Sequence, residues 1–447
     1  MAYPRTFQSY SLSNPSKAST MSSGTTTERP RTDWNAGAIP SVRPERNAAT
    51  LGWMQRLTRH KMLNWLSSLE GGQVQFSDPQ SNEVFGSWES PHSVSWQIHD
   101  PTFYSLLATQ GSLGLAESYL CGHWEVDDLT TFLRILCRNL GRTSGITTRL
   151  ASAAGQLRRL AFRLDNNSRR GSRRHIAAHY DLSNEFFEMF LDPTMMYSSA
   201  WFESADTPLH DASRAKIDRV CGKLKLQPTD HLLEIGTGWG GFALHAAQQY
   251  GCQVTTTTIS QAQFEMTRDR VRRAGLSERI DTLASDYRDL NGRYDKLVSI
   301  EVVEAIGERH LDDFFRQSSR LLKPGGRCVM QAIVMPEQRY QSYRRSVDFI
   351  QKYIFPGGFL PSIAAIQDSV GRSTSFRLDS IEDISPHYAQ TLSHWRERFQ
   401  NRLADVRSLG FDDRFIRMWE FYLCYCEAAF REHAVRVVQI AWDKPAR

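Results

Sequence analysis

Long apolar runs are missing from this chain of 447 residues. No 18 consecutive positions are apolar, so no segment reads as a membrane-spanning helix. The first thirty positions also lack the apolar stretch of about 7–15 residues that a secretory signal requires, and export is not expected. Cysteine is sparse and scattered. The 7 residues (Cys121, Cys137, Cys221, Cys252, Cys328, Cys424, Cys426) form no C-x-x-C pair, which speaks against a disulfide framework or a zinc knuckle and for a reducing cytosol. Nor is one charge in excess: 54 Lys and Arg face 49 Asp and Glu, a net +5, which over this length gives no ground for nucleic-acid binding. What remains, 40% hydrophobic, 11% aromatic and 23% charged, is the composition of a globular protein with a sizeable core.

Residues 1–48 are rich in Ser, Thr, Pro and Arg with few aliphatics. They are read as a disordered arm, because they cannot bury enough surface to offset their ordering entropy. Residues 49–140 mix strand-like runs (Val74–Phe76, Ser93–Trp96) with helical spacing at Leu129, Phe132, Leu133 and Leu136, the pattern of a small α+β domain. Over 141–178, Leu150, Leu157, Leu160 and Leu164 are interleaved with Arg158, Arg159, Arg163, Arg169, Arg170, Arg173 and Arg174. This basic amphipathic linker is either a solvated connector or a contact with anionic phospholipid, where each cation contributes about 1 kcal/mol.

From 179 to 447 the signal changes to alternating strands and helices. Strands are expected over 231–235, 254–259, 281–284, 296–300 and 328–334, and helices over 241–250, 261–273 and 309–322, with a turn at Lys323–Gly326. Such alternation predicts a doubly wound α/β fold, a parallel sheet with helices on both faces.

Glu234-Ile235-Gly236-Thr237-Gly238-Trp239-Gly240-Gly241 falls where the first of these strands hands over to a helix, and glycines there let the backbone approach a ligand closely. The loop alone does not separate a dinucleotide from S-adenosylmethionine. A nicotinamide site wants an acid about 20 positions on, whereas the next strand reads Val254-Thr255-Thr256-Thr257-Thr258-Ile259. Thr258, Gln263, Asp286 and Tyr287 instead offer polar groups at the carboxyl edge of the sheet, as a methyl donor requires.

Further motifs surround this loop: His179-Tyr180-Asp181-Leu182-Ser183, Phe190-Leu191-Asp192, Tyr197-Ser198-Ser199-Ala200, Thr258-Ile259-Ser260, and Tyr353-Ile354-Phe355-Pro356-Gly357-Gly358 with Leu360-Pro361-Ser362. From about His179 to Trp442 the chain resembles the cyclopropane-fatty-acyl-phospholipid synthase family, including the mycolic acid cyclopropane synthases. Gly111–Glu117 with Gly122, Trp124, Asp128 and Leu129 is similar to the amino-terminal domain of the bacterial synthases.

The resemblance implies a class I methyltransferase, Rossmann-like in fold. It transfers the methyl group of S-adenosylmethionine to the cis double bond of an unsaturated phospholipid acyl chain; a bound bicarbonate then removes a proton and a cyclopropane closes. It implies cofactor contacts from Tyr197 and Ser198, from Leu232, Leu233, Glu234, Ile235, Gly236, Thr237, Gly238, Trp239 and Gly240, from Thr258, Ile259 and Gln263, and from Asp286 and Tyr287. Glu304, Tyr388 and the backbone of Ile333 are expected around the bicarbonate. Two positions depart from the family: Ser199 stands where a cysteine is usual and Gln331 where a histidine is usual. Neither changes charge near neutral pH, and a methyl- or methylene-branched product becomes the alternative to a ring. Cys426 matches a cysteine often assigned to the family's active site, and is either that or a small buried apolar residue. Residues 335–362, with Arg339, Arg344, Arg345 and Lys352 among aromatics, are read either as a lipid-facing lip or as a helix bordering the pocket. A homodimer on the inner face of the membrane, without nucleic acid, completes the expectation.

Overall fold

The computed structural model describes residues 51–139 and 182–446. The expected arm (1–48), the basic linker (141–178) and His179–Asp181 lie outside the described residues.

The first part runs α1 (Trp53–Leu66), β1 (Gln73–Ser77), β2 (Asn82–Gly86), β3 (Ser93–Ile98), α2 (Thr102–Gln110), α3 (Ser112–Leu120), β4 (Trp124–Val126) and α4 (Leu129–Arg138). Its sheet has the order β2-β1-β3-β4, with β1 and β3 parallel and the outer pairs antiparallel. Strict alternation in β3 puts Val94, Trp96 and Ile98 inside, as a sheet with one wet face requires. Helix α4 begins at Asp128, whose carboxylate accepts from Thr131 N–H, a standard side-chain cap.

The second part carries α5 (Leu209–Leu224), β5 (His231–Ile235), α6 (Gly241–His245), β6 (Gln253–Thr257), α7 (Gln261–Arg273), β7 (Ile280–Leu283), β8 (Tyr294–Ile300), α8 (Val303–Ile306), α9 (Leu311–Leu321), β9 (Leu322–Val334), α10 (Glu337–Tyr343), α11 (Ile363–Ser373), β10 (Arg377–Asp383), α12 (Ser385–Gln400), α13 (Asp413–Arg431) and β11 (Arg436–Asp443). The sheet order is β10-β11-β9-β8-β5-β6-β7. From β9 to β7 all pairs are parallel, and β11 and β10 join antiparallel. The doubly wound α/β expectation holds, and chain order reverses between β5 and β8, the switch point at which such sheets bind ligands.

Several boundaries shift from the sequence reading, and two of the shifts have a clear physical cause. Strand β6 stops at Thr257, leaving Thr258 and Ile259 to turn toward α7; its buried threonines are tolerated because Thr255, Thr256 and Thr257 each pair their hydroxyl, with His231, Glu234 and the Ser285 carbonyl. The Lys323–Gly326 stretch is a bulge inside β9, across which the pairing with β8 shifts register, instead of a turn before it.

One buried apolar cluster runs through both parts, from Phe76, Trp96 and Trp124 to Trp395, Trp419 and Phe421. Polar staples reinforce this junction. Arg134 and Arg138 pair with Glu432 at 2.7 and 2.6 Å, and buried Glu117 on α3 accepts from Lys352 Nζ at 2.5 Å and Tyr353 Oη at 2.8 Å. Among the described residues no helix is long and apolar enough to cross a membrane.

Candidate active site

One cavity of about 670 Å³ opens at the carboxyl ends of β5, β6 and β8. Its wall includes Gly236, Thr237, Gly238, Trp239, Thr258, Gln263 and Asp286, then Glu301, Glu304 and Tyr388, and finally Leu115, Leu133 and Leu136 of the first part. A polar end, an acidic middle and an apolar far end therefore share one space.

The polar end is shaped by glycine. Gly236 has φ +96, and a Cβ there would lie 2.3 Å from Val302 Cγ2, so only glycine lets the ends of β5 and β8 approach. At Gly238, φ +53, a Cβ would meet no protein atom within 4 Å; that space belongs to the cavity. Among the described residues, buried Thr237 Oγ1 has no hydrogen-bond partner, as expected of a group that faces a ligand site. Thr258 Oγ1 donates to Gln263 Oε1 at 2.9 Å and accepts from Ser260 N–H, while Ser260 caps α7. Asp286 is held by Arg288 at 2.6 Å. Glu234 accepts from Thr256 Oγ1 at 2.6 Å; burial pushes its carboxyl up to about 8, against the Thr256 bond and the charge of Lys216. These groups fit a polar nucleoside-type ligand.

The acidic middle is built where β8 ends. Glu301 adopts a left-handed backbone, φ +52, a conformation that costs a non-glycine residue roughly 1–2 kcal/mol. Its carboxylate collects the bonds that hold it there. Oε1 accepts from Ser199 N–H at 3.0 Å and Gln331 Nε2 at 2.7 Å, and Oε2 accepts from Tyr388 Oη at 2.8 Å. Gln331 is locked amide-first toward Glu301 because its own oxygen accepts from Gln439 Nε2 at 3.0 Å. Next to it, Glu304 Oε1 accepts from Ile333 N–H at 2.5 Å, while its buried Oε2 has no partner among the described residues. Burial and then the Glu301 charge push Glu304 up to about 8. Burial also raises Glu301, but the Ser199, Gln331 and Tyr388 bonds and the Lys216 charge oppose this. The three donors on Glu301 favour its carboxylate form, whereas Glu304, with one donor and the neighbouring Glu301 charge, favours its protonated form.

Aromatic rings close over this pair. Tyr388 stacks on Phe430 at 4.5 Å, Tyr197 shares a 2.9 Å hydrogen bond with Tyr422, and Phe355 lies against both Tyr197 and Tyr422. Such faces favour a positive charge developing between them.

Residues 167–440 match the family described as mycolic acid cyclopropane synthetase. The chain belongs to that family. The tuberculostearic acid methyltransferase of Mycobacterium tuberculosis is 41% identical over 357 residues, 78% of this chain and 83% of that protein. The cyclopropane-fatty-acyl-phospholipid synthase of Escherichia coli is 34% identical over 351 residues, 78% and 87% of the two chains. Among solved structures, a mycolic acid cyclopropane synthase complexed with SAH and CTAB superposes with a TM-score of 0.58 at 32% identity, over 61% of this chain and 98% of that one. The protein is thus an S-adenosylmethionine-dependent methyltransferase of the cyclopropane and methyl-branching synthase type.

With the family in hand, the expected site residues sort cleanly. Tyr197, Ser198, Glu234, Ile235, Gly236, Thr237, Gly238, Trp239, Thr258, Ile259, Gln263, Asp286 and Tyr287 line the cavity, as do Glu304, Ile333, Tyr388 and Cys426. Leu232 and Leu233 do not: they point from β5 into the cores on either side of the sheet. Gly240 is also displaced, since a Cβ there would lie 2.8 Å from Thr267 Cγ2, and its role is packing of α7 against the loop. Ser199 and Gln331 are fully buried behind Glu301, so they act on that carboxylate instead of on a ligand.

Glu301 is the residue that sequence reasoning missed. Its signal was the pair of departures, Ser199 and Gln331, which ask what anion they serve. The bicarbonate implied by the resemblance does not fit this arrangement: Ser199 N–H, Gln331 Nε2, Tyr388 Oη and Ile333 N–H already donate to Glu301 or Glu304. Cys426 lines the wall as a thiol, its ionisation pushed well up by burial and then by Asp348 and Cys424.

Of the bases in 335–362, Arg344 pairs with Glu308 at 2.5 Å and Lys352 with Glu117 at 2.5 Å. Arg339 stands at the cavity edge, donating to the Ala434 carbonyl at 2.8 Å.

Proposed function

We propose that the protein methylates the cis double bond of an unsaturated phospholipid acyl chain, with the Glu301–Glu304 pair, and not bicarbonate, taking the proton. The observation that carries this reading is the single cavity that joins the glycine loop, a buried carboxylate pair and an apolar chamber. When bound, S-adenosylmethionine supplies an electrophilic methyl group, whose C–S bond breaks with its electron pair going to sulfur so that S-adenosylhomocysteine is the leaving group. Glu234, Thr258, Gln263 and Asp286 bind and orient it, and the apolar walls from Leu115, Leu133 and Leu136 hold the chain within reach. As the double bond's electron pair forms the new C–C bond, positive charge appears on the neighbouring carbon. Tyr197, Phe355, Tyr388 and Tyr422 stabilise that charge. Glu301 then accepts a proton, its carboxylate held in place by Ser199, Gln331 and Tyr388. The electron pair of the C–H bond that loses its proton, on the transferred methyl group, closes either a ring bond to the cationic carbon or, after a hydride shift, the double bond of a methylene branch.

The branched product is the reading that the carboxylate arrangement supports, because the donors a free anion would need are occupied; the identity to the tuberculostearic acid methyltransferase points the same way. Incubation with labelled S-adenosylmethionine and vesicles of dioleoyl phospholipid tests both levels. Hydrogenation followed by mass spectrometry and NMR separates a branch, which is reduced, from a ring. A cyclopropane would overturn the branched reading, and no label in the acyl chain would overturn the function.

A further inference from the structure

Lys216 on α5 is fully buried, and its Nζ donates to Ser198 Oγ at 2.8 Å. A lysine is almost never this buried without a carboxylate partner, yet among the described residues no carboxylate lies within 4.0 Å of it. The chemistry of the reaction does not use it, and it does not line the cavity. Ser198 does.

We infer that Lys216 is a positioning residue for the anionic, α-carboxylate end of the cofactor, acting through Ser198. The anionic group of the bound molecule is its α-carboxylate, and Ser198 is a cavity-lining donor backed by a buried cation, the chemistry that such a carboxylate fits. The cavity wall also carries Glu234 and Glu301, so a carboxylate arriving there needs a counter-charge. Lys216 is the cation set among them: Glu301, Asp192 and Glu234 oppose the effect of burial, which lowers its ammonium to about 8, so the side chain stays charged at neutral pH. Because Lys216 has only N–H donors, Ser198 Oγ must accept from it. The serine's own proton is thereby left to be donated into the cavity, as a charge-supported donor for a carboxylate.

This inference rests on the cofactor reading of the glycine loop, and two ligands keep the two apart. Calorimetry compares S-adenosylhomocysteine, which has the amino-acid end, with methylthioadenosine, which lacks it. For Lys216→Met, affinity for S-adenosylhomocysteine is expected to fall about tenfold while methylthioadenosine binds as before. Ser198→Ala should give the same split, and the double variant should be no weaker than either single one, since both break one relay. Equal losses for both ligands, or none, would overturn the assignment and leave Lys216 a structural residue. Should Lys216→Met fail to fold, Ser198→Ala decides alone, because an unchanged S-adenosylhomocysteine affinity there removes the relay. Wild-type protein that binds neither ligand would instead overturn the cofactor site itself.

Discussion

The two ends of the catalytic cavity are built by opposite means. Where β5 ends, side chains are withheld: Gly236 and Gly238 take positive φ and leave room for a ligand. Where β8 ends, a side chain is forced in: Glu301 takes positive φ without being glycine, and its carboxylate occupies donors that could have held a small anion. One strand end is a cradle and the other is already filled. On the proposed mechanism, proton removal and methyl-donor binding sit on different strand ends, so one can change without the other.

The largest effect is expected from Glu301→Gln. The amide keeps the shape but cannot take a proton, so turnover should fall by about 100-fold or more while S-adenosylhomocysteine affinity stays near that of wild type. Wild-type turnover should be indifferent to added bicarbonate. A bicarbonate-dependent wild type, or an active Glu301→Gln, would erase the difference between the two ends.

Next comes the cradle. Gly238→Ala adds a Cβ that meets no protein atom in a left-handed conformation costing about 1–2 kcal/mol. The variant should fold with a modestly lower Tm and bind S-adenosylhomocysteine at least about tenfold more weakly. Gly236→Ala should behave differently, because its Cβ collides with Val302 Cγ2 at 2.3 Å; there the loss should appear first in stability. If the two variants lose the same property, the cradle is not open in the way described.

A smaller effect concerns pH. Glu304 is raised from 4.5 to about 8, so the folded state keeps a proton that the unfolded chain releases near 4.5. Its contribution to stability is complete below pH 4.5, declines as pH rises through the interval to about 8, and levels off above it. Glu304→Gln should flatten the decline of Tm across that interval, as measured by thermal melts at a series of pH values. An unchanged decline would mean that Glu304 is ionised in the native protein at neutral pH, in conflict with the effect of its burial beside Glu301.

The cradle was legible in the sequence and the filled end was not, for physical reasons. Strand, glycine loop and helix follow one another over 231–250, so local propensity, turn chemistry and ligand contact coincide within twenty residues. Helix Gln261–Arg273 was readable to its boundaries because Ser260 caps it. The acidic end depends on Ser199, Glu301, Gln331 and Tyr388, which come from widely separated stretches of the chain, and no local pattern announces that four such residues share one anion. Glu304 drew attention through its motif, whereas Glu301, three residues earlier and just past the strand expected over 296–300, was given no role. Ser199 and Gln331 stood out as departures, but only the fold reveals that both point at Glu301. Leu232 and Leu233 went astray for the complementary reason: adjacency to a ligand loop does not turn an interior strand residue toward the ligand, as the alternation of β5 dictates.

The smallest effect is expected at Cys426, where the comparison of the two ends sharpens into a statement about which group is reactive. The thiol lines the cavity near Tyr388, and a reactive cysteine there would compete with Glu301 for the role of base. Its surroundings argue otherwise. A thiolate needs a nearby cation or a helix N-terminus, whereas Cys426 lies far from the N-terminus of α13, and Asp348 and Cys424 add to the effect of burial. Replacement by alanine removes one sulfur from an apolar wall. Turnover of Cys426→Ala should therefore stay within about threefold of wild type, with a small stability loss from the missing contacts, and alkylation of the native thiol at neutral pH should be slow. A loss comparable to that of Glu301→Gln would move the base from the strand end to the helix.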